Sequence, residues 1–131
     1  MKDKGTKFER ELIHILWQRG FAAMRSAGSG AARYPSPDII AGNRQIFFAI
    51  EVKMRSRLPV YLADQEINEL KCFSDAFGAV PLIAVRVSRS GWRFFKISSL
   101  YRTDRGYSIN KSNFKDGFDL SKLLEWRLDY E

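Results

Sequence analysis

Hydrophobic spacing divides the chain into a helix, a run of strands, a second helix and further strands. Across residues 4–19, placing side chains at about 100° intervals gathers Phe8, Leu12, Ile13, Ile15, Leu16 and Trp17 into one broad arc. Arg10, Glu11, His14 and Gln18 take the opposite arc, and Gly20 ends the helix. Glu9 is the misfit, because it lies inside the apolar arc between Leu16 and Ile13. Either it sits at the edge of the arc and reaches solvent, or it faces inward for a reason. Phe21–Arg25 predicts a short strand. Pro35-Ser36-Pro37 then forces extended backbone before Asp38. Ile39-Ile40-Ala41 continues as a strand, Gly42-Asn43-Arg44 turns, and Ile46–Lys53 returns as the second strand of a hairpin. Its stretch Ile46-Phe47-Phe48-Ala49-Ile50 is apolar on both faces, which predicts a central place in a sheet.

The remaining pattern is less even. Met54–Val60 carries Arg55, Arg57 and Pro59 and predicts a basic loop. Leu62–Phe77 predicts the second helix, with Ile67, Leu70, Phe73, Ser74 and Phe77 at helical spacing and Gly78 just past its end. Phe73 and Phe77, four apart on one face, suit either core packing or a subunit interface. Pro81–Val87 and Gly91–Ile97 predict two more strands. Beyond Ser98 the signal weakens: Tyr101–Lys111 is polar, with a short strand at Tyr107–Ile109, and Asp119–Leu128 predicts a short helix with Asp119 as its N-cap. No internal repeat or composition break divides the 131 residues, so a single domain over 1–131 is expected.

Composition narrows the partners. The net charge is +7, which suits a polyanion. No run of apolar residues is long enough for a membrane span, and the N-terminus lacks the apolar core of a secretion signal. Cys72 is the single cysteine, so no internal disulfide or zinc cluster is available, and a reducing cytoplasm fits. Cys72 is expected to be a small buried hydrophobe. His14 is the single histidine, which excludes a His-rich metal site within one chain.

Against that background three charges stand out. Asp38, Glu51 and Lys53 lie within otherwise apolar, strand-like sequence. Glu51 and Lys53 are two apart, so on a strand they share a face. Burying such groups singly is costly. Together, with a metal bridging the carboxylates, they form a plausible site for cleaving a phosphodiester, because a cation offsets phosphate charge and acidifies and orients a water. Asp38 and Glu51 would be direct ligands and the Val52 carbonyl another. Glu9 would act through water or orient the shell. Lys53 would serve in proton transfer or charge stabilisation. The small, Gly-rich stretch Ser26–Ala32 is either a plain linker or a mobile flap carrying Ser29 and backbone N–H groups to a phosphate, with Arg25 and Arg33 on its two sides.

The motif Pro37-Asp38 followed by Glu51-Val52-Lys53 is that of the PD-(D/E)XK nucleases. In order along residues 1–97, Lys4-Gly5, Glu9-Arg10-Glu11-Leu12, Gly20-Phe21, Arg25, Ser29-Gly30, Pro37-Asp38, Glu51-Val52-Lys53, Phe73–Phe77-Gly78-Ala79 and Pro81 resemble the archaeal Holliday-junction resolvases of the Hjc type. The resemblance implies an α/β, restriction-endonuclease-like fold: a mixed central sheet of about five strands flanked by helices. It implies a Mg²⁺-dependent endonuclease, with Mn²⁺ able to substitute and no small-molecule cofactor. Such an enzyme would resolve four-way DNA junctions in recombination and repair. Glu9, Asp38, Glu51 and Lys53 match the catalytic positions and Ser29 the serine of an active-site loop. Lys4, Arg10, Arg25, Arg33 and Arg55 would meet DNA. A homodimer is implied, with Phe73 and Phe77 at its interface, as is a cytoplasmic, nucleoid-associated location without membrane contact. A related nuclease acting on ordinary or damaged duplex is the alternative. A non-catalytic basic DNA-binding protein is a third reading, weakened by three acids placed near a polyanion.

Overall fold

The computed structural model describes residues 2–26, 34–88 and 90–126, with side chains from Gly5 onward. The first helix, α1 (Lys2–Gln18), leads into β1 (Ala22–Arg25), β2 (Ile39–Gly42) and β3 (Phe47–Arg55). Strand β4 (Val60–Ala63) runs directly into α2 (Asp64–Phe77), followed by β5 (Val80–Val87) and β6 (Gly91–Lys96). The C-terminal part adds β7 (Tyr101–Arg102), β8 (Gly106–Ile109) and α3 (Leu120–Leu124).

The main sheet has the order β1-β2-β3-β5-β6, which is the expected mixed five-stranded arrangement. Its neighbours are antiparallel except β3 and β5, which run parallel. The apolar strand is indeed central. Alternation along β3 sends Phe48 and Ile50 into a core with Leu12 and Leu16 of α1, while Ala49 packs with Ile67 and Leu70 of α2. Each sheet face therefore has its own helix, and every large side chain of the β3 core is sealed from water.

A three-stranded sheet, β4-β8-β7, lies beside α2. It corrects the expectation of a basic loop from Met54 to Val60. Strand β3 runs on to Arg55, and Val60-Tyr61-Leu62-Ala63 alternates buried and exposed as a strand before the helix begins at Asp64. The reason is remote in sequence: β4 finds its partner in β8, almost fifty residues on.

Two further corrections follow from helix geometry. Cys72 is exposed rather than buried. On α2 the buried positions are Ile67, Leu70 and Ser74, and residue 72 points to the opposite side of the helix. Trp17, placed in the apolar arc of α1, is 58% exposed and donates its indole N–H to the Ala23 carbonyl at 2.9 Å. It sits at the rim of an arc whose sealed centre is Leu12 and Leu16. The expected Asp119 N-cap is present: its carboxylate accepts from the Lys122 backbone N–H at 3.1 Å. The helix that it starts ends at Leu124, with Trp126 folded back against Phe48 and Phe118.

Candidate active site

The site is built where β2 begins and β3 continues past it. Ile39 pairs with Ile50, so Asp38 falls opposite Glu51. The backbone N–H of Val52 donates to an Asp38 carboxylate oxygen at 2.8 Å, fixing that side chain against β3. The Asp38 carbonyl accepts from the Ser26 N–H at 2.9 Å, which ties the end of β1 to the same corner. Glu51 and Lys53 lie on the α2 face of the sheet, as their spacing requires. There the Lys53 ammonium meets Glu66 at 2.5 Å.

Electrostatics mark the pair. Burial pushes the Glu51 carboxyl up to about 8, aided by the charge of Asp38 and opposed by Lys53, with Glu66 adding a smaller push upward. Asp38 is also raised, chiefly by burial. The Val52 N–H and Lys53 pull it down, and the charge of Glu9 pushes it up. Two neighbouring carboxyls thus resist ionising side by side in a partly dry corner.

Glu9 reaches this corner from α1 but is held by Arg25, whose Nε donates to its carboxylate at 2.8 Å. It is therefore not an edge residue reaching free solvent: Arg25 holds it, and its charge still acts on Asp38. Among the described residues, no three His, Cys, Asp or Glu side chains group as a metal-holding set. Asp38 and Glu51 are the carboxyls that the β2–β3 register sets facing one another, with the Val52 backbone alongside Asp38. This set fits a hard divalent cation: all its donors are oxygen, and added positive charge is what two half-buried, mutually repelling carboxylates call for.

Arg10 and Arg55 are exposed and Arg25 is partly exposed. Arg55 donates to the Met54 carbonyl at 2.8 Å. Ser29, together with Arg33 and the Lys4 side chain, lies outside the described residues. Phe73 and Phe77 stack with centroids 5.3 Å apart, and Phe77 meets Phe47 edge-on at 6.1 Å. Phe77 remains 51% exposed, whereas Phe73 packs against the core on the α2 side of the sheet.

Glu66 is the site residue that the sequence reading missed. One carboxylate oxygen accepts from the Ala63 N–H at 2.9 Å and the other holds Lys53. It performs half of a capping box, but Ala63 stands where Ser or Thr would have signalled one.

A mixed sheet with paired acids and a lysine at the junction of β2 and β3 defines a nuclease of the PD-(D/E)XK class. Comparisons with known proteins make the class specific. A family model described as archaeal Holliday junction resolvase (Hjc) matches residues 1–129. The crossover junction endodeoxyribonuclease Hjc of Archaeoglobus fulgidus is 46% identical over 94% of this chain and 90% of its own length. An Hje enzyme of Saccharolobus solfataricus is 34% identical over 98% of this chain and 94% of its own length. The solved structure of the Archaeoglobus fulgidus Hjc superposes with a TM-score of 0.88 at 43% identity, over 91% of this chain and 97% of that one. This chain belongs to the archaeal Holliday junction resolvase (Hjc) family.

The raised Glu51 carboxyl has a thermodynamic consequence. The native state keeps a proton that the unfolded chain releases near the ordinary value of 4.5. The contribution of Glu51 to metal-free stability is therefore fully present below that pH and is lost as pH rises through about 8. Glu51→Gln, which cannot ionise, is expected to be more stable than the wild type above about pH 8.5, by on the order of 1–3 kcal/mol. Denaturant melts without divalent metal measure this. Identical midpoints in both proteins across the range would mean that Glu51 ionises freely.

Proposed function

We infer that this protein is an endodeoxyribonuclease that resolves four-way DNA junctions by metal-dependent hydrolysis of phosphodiester bonds. The observation that carries the reading is the half-buried Asp38–Glu51 pair at the β2–β3 register, with Lys53 on the same face as Glu51. The relatives named as crossover junction endodeoxyribonucleases supply the substrate class. The metal is proposed to be Mg²⁺, with Mn²⁺ a substitute, held by Asp38, Glu51 and the Val52 carbonyl. When bound, it offsets the phosphate charge and lowers the cost of generating the attacking hydroxide.

The chain's own residues do the rest. The Val52 N–H keeps Asp38 aimed at the site, so its position does not have to be found during the reaction. Lys53 brings a positive charge to the scissile phosphate, where negative charge builds up in the transition state. Glu66 holds the flexible lysine in one orientation. Glu9 orients the shell from α1 while Arg25, bridged to it, presents its guanidinium to the backbone of the DNA. Arg10 and Arg55 extend the basic surface, and Lys4, Ser29 and Arg33 are assigned the DNA-facing and flap roles implied by their motif positions. The enzyme would work in the cytoplasm, at the nucleoid.

A junction needs two nicks, so a paired site is required. The homodimer is proposed to form through the sheet face that α2 leaves open. There Met24, Phe47 and Phe77 are 66%, 40% and 51% exposed and surround an apolar hollow of about 470 Å³ that also includes Trp17 and Ile40. Clustered exposed aromatics of this kind favour an interface.

The chemistry is tested by nicking a synthetic four-way junction and a linear duplex of the same sequence in Mg²⁺. The wild type should cut the junction far faster. Asp38→Ala and Glu51→Ala should each lower the rate by at least about a thousandfold while junction binding is nearly retained. Equal cutting of both DNAs would point to a duplex nuclease, and cutting that persists in both variants would remove the assigned site. For the dimer, Phe73→Ala combined with Phe77→Ala should shift the protein toward monomer in sedimentation and slow paired cleavage. Unchanged mass and resolution would place the interface elsewhere.

A further inference from the structure

The small sheet gives the site a second wall. A groove of about 720 Å³ opens from Lys53 between β4 and the β7–β8 hairpin. Asp38 and Glu51 do not line it, so it leads away from the carboxylate pair. Its lining includes Arg55 on β3, Tyr61 on β4 and Thr103-Asp104-Arg105 in the turn between β7 and β8. Tyr61 is 63% exposed, and Arg55 and Arg105 are exposed as well.

Tyr61 presents an aromatic ring to solvent among cations, beside Lys53. In the β4–β8 ladder Tyr61 lies opposite Ser108, while its neighbours Val60 and Leu62 fill the core. The tyrosine therefore contributes little to the hydrophobic core and is held on a firm strand. The hairpin that brings Arg105 is fixed too. Arg102 bonds Asp64 at the start of α2 and lies over the Tyr107 ring at 4.8 Å. Glu66 is bound to Lys53, which leaves Asp104 as the acid of the turn among two arginines.

We propose that this groove holds the DNA strand running out from the scissile phosphate, with Tyr61 stacking on an unpaired or unstacked base and Arg55 and Arg105 contacting its phosphates. Every base has a π-face, so such stacking is tolerant of sequence, and phosphate contacts add affinity without reading bases. The occupant is specific in another way. A base can reach Tyr61 only if it has left its own stack. The branch point of a junction offers such bases at low cost, whereas a continuous duplex must be disrupted. Tyr61 thereby becomes a specificity residue for branched over linear DNA. The proposal rests on the reading of the protein as a junction nuclease and names the part of the chain that makes the choice.

The test uses the full-length protein and a junction with 2-aminopurine at each branch-point position in turn. Without divalent metal, wild-type binding should alter the fluorescence at one of these positions through stacking, and Tyr61→Phe should reproduce the change. Tyr61→Ala should abolish it and weaken junction binding roughly five- to fiftyfold, with little effect on duplex binding. Arg105→Ala should weaken binding to both DNAs and lower the log–log salt slope by about one. Nicking in Mg²⁺ should show a reduced junction-to-duplex ratio for Tyr61→Ala. If Tyr61→Ala melts early, the wild-type fluorescence and the Arg105→Ala slope decide on their own. Unchanged fluorescence in the wild type, or normal junction preference and salt slope in folded variants, would overturn the groove. A wild type that does not prefer junctions at all would instead overturn the functional reading beneath it.

Discussion

Two carboxylates that repel one another are forced into the same partly buried corner, and much of the site is arranged around that fact. Strand pairing sets Asp38 opposite Glu51, and neither side chain can leave without breaking the β2–β3 register. Burying even one ionised carboxylate costs on the order of several kcal/mol. The structure offsets part of this locally. Asp38 accepts the Val52 N–H, Lys53 supplies positive charge to both acids, and Arg25 neutralises Glu9 nearby. The remainder is left standing, as the upward push on both Asp38 and Glu51 records. A protein selected only for stability would replace them. A protein that must hold a divalent cation needs that uncompensated charge, because a site already neutral has no affinity to offer.

How much of this could be read from the sequence depended on how local the cause was. Strand β3 was legible because a run apolar on both faces can be satisfied only between two neighbours, and the charges at its end then had no structural reason to be there. The Asp119 cap and the two helices were legible for the same reason, since their signals lie within a few residues. Strand β4 was not. Val60–Ala63 spans four residues and alternates for too short a stretch to signal a strand, and its partner Gly106–Ile109 is far along the chain. Cys72 was misjudged from residue type, although its position on α2 relative to Ile67, Leu70 and Ser74 already pointed it outward. Glu9 needed its partner: the packing of β1 against α1 brings Arg25 within reach of it. Glu66 was hidden because Ala63 erased the usual helix-start signature around it.

The strand that was missed opens the crossover between β3 and β5. Those strands run parallel, so the chain must leave the end of β3, cross one face of the sheet and return. Alternation decides which β3 side chains meet the crossing segment, and they are Ala49, Glu51 and Lys53 rather than Phe48, Ile50 and Val52. The segment consists of β4 and α2, so whatever it carries lands beside the site. It carries Glu66, which secures Lys53, and Tyr61, which borders the groove. At its far end it carries Phe73 and Phe77, beyond which α2 stops short of β1 and β2 and leaves Met24 and Phe47 uncovered. One topological requirement thus places the acid that holds Lys53, the proposed wall for the DNA strand and the apolar surface proposed for a second subunit on the same side of one sheet. If the proposed dimer forms there, a single rigid helix holds substrate contacts and subunit contacts in a fixed relation, which is what two coordinated nicks at a two-fold junction demand.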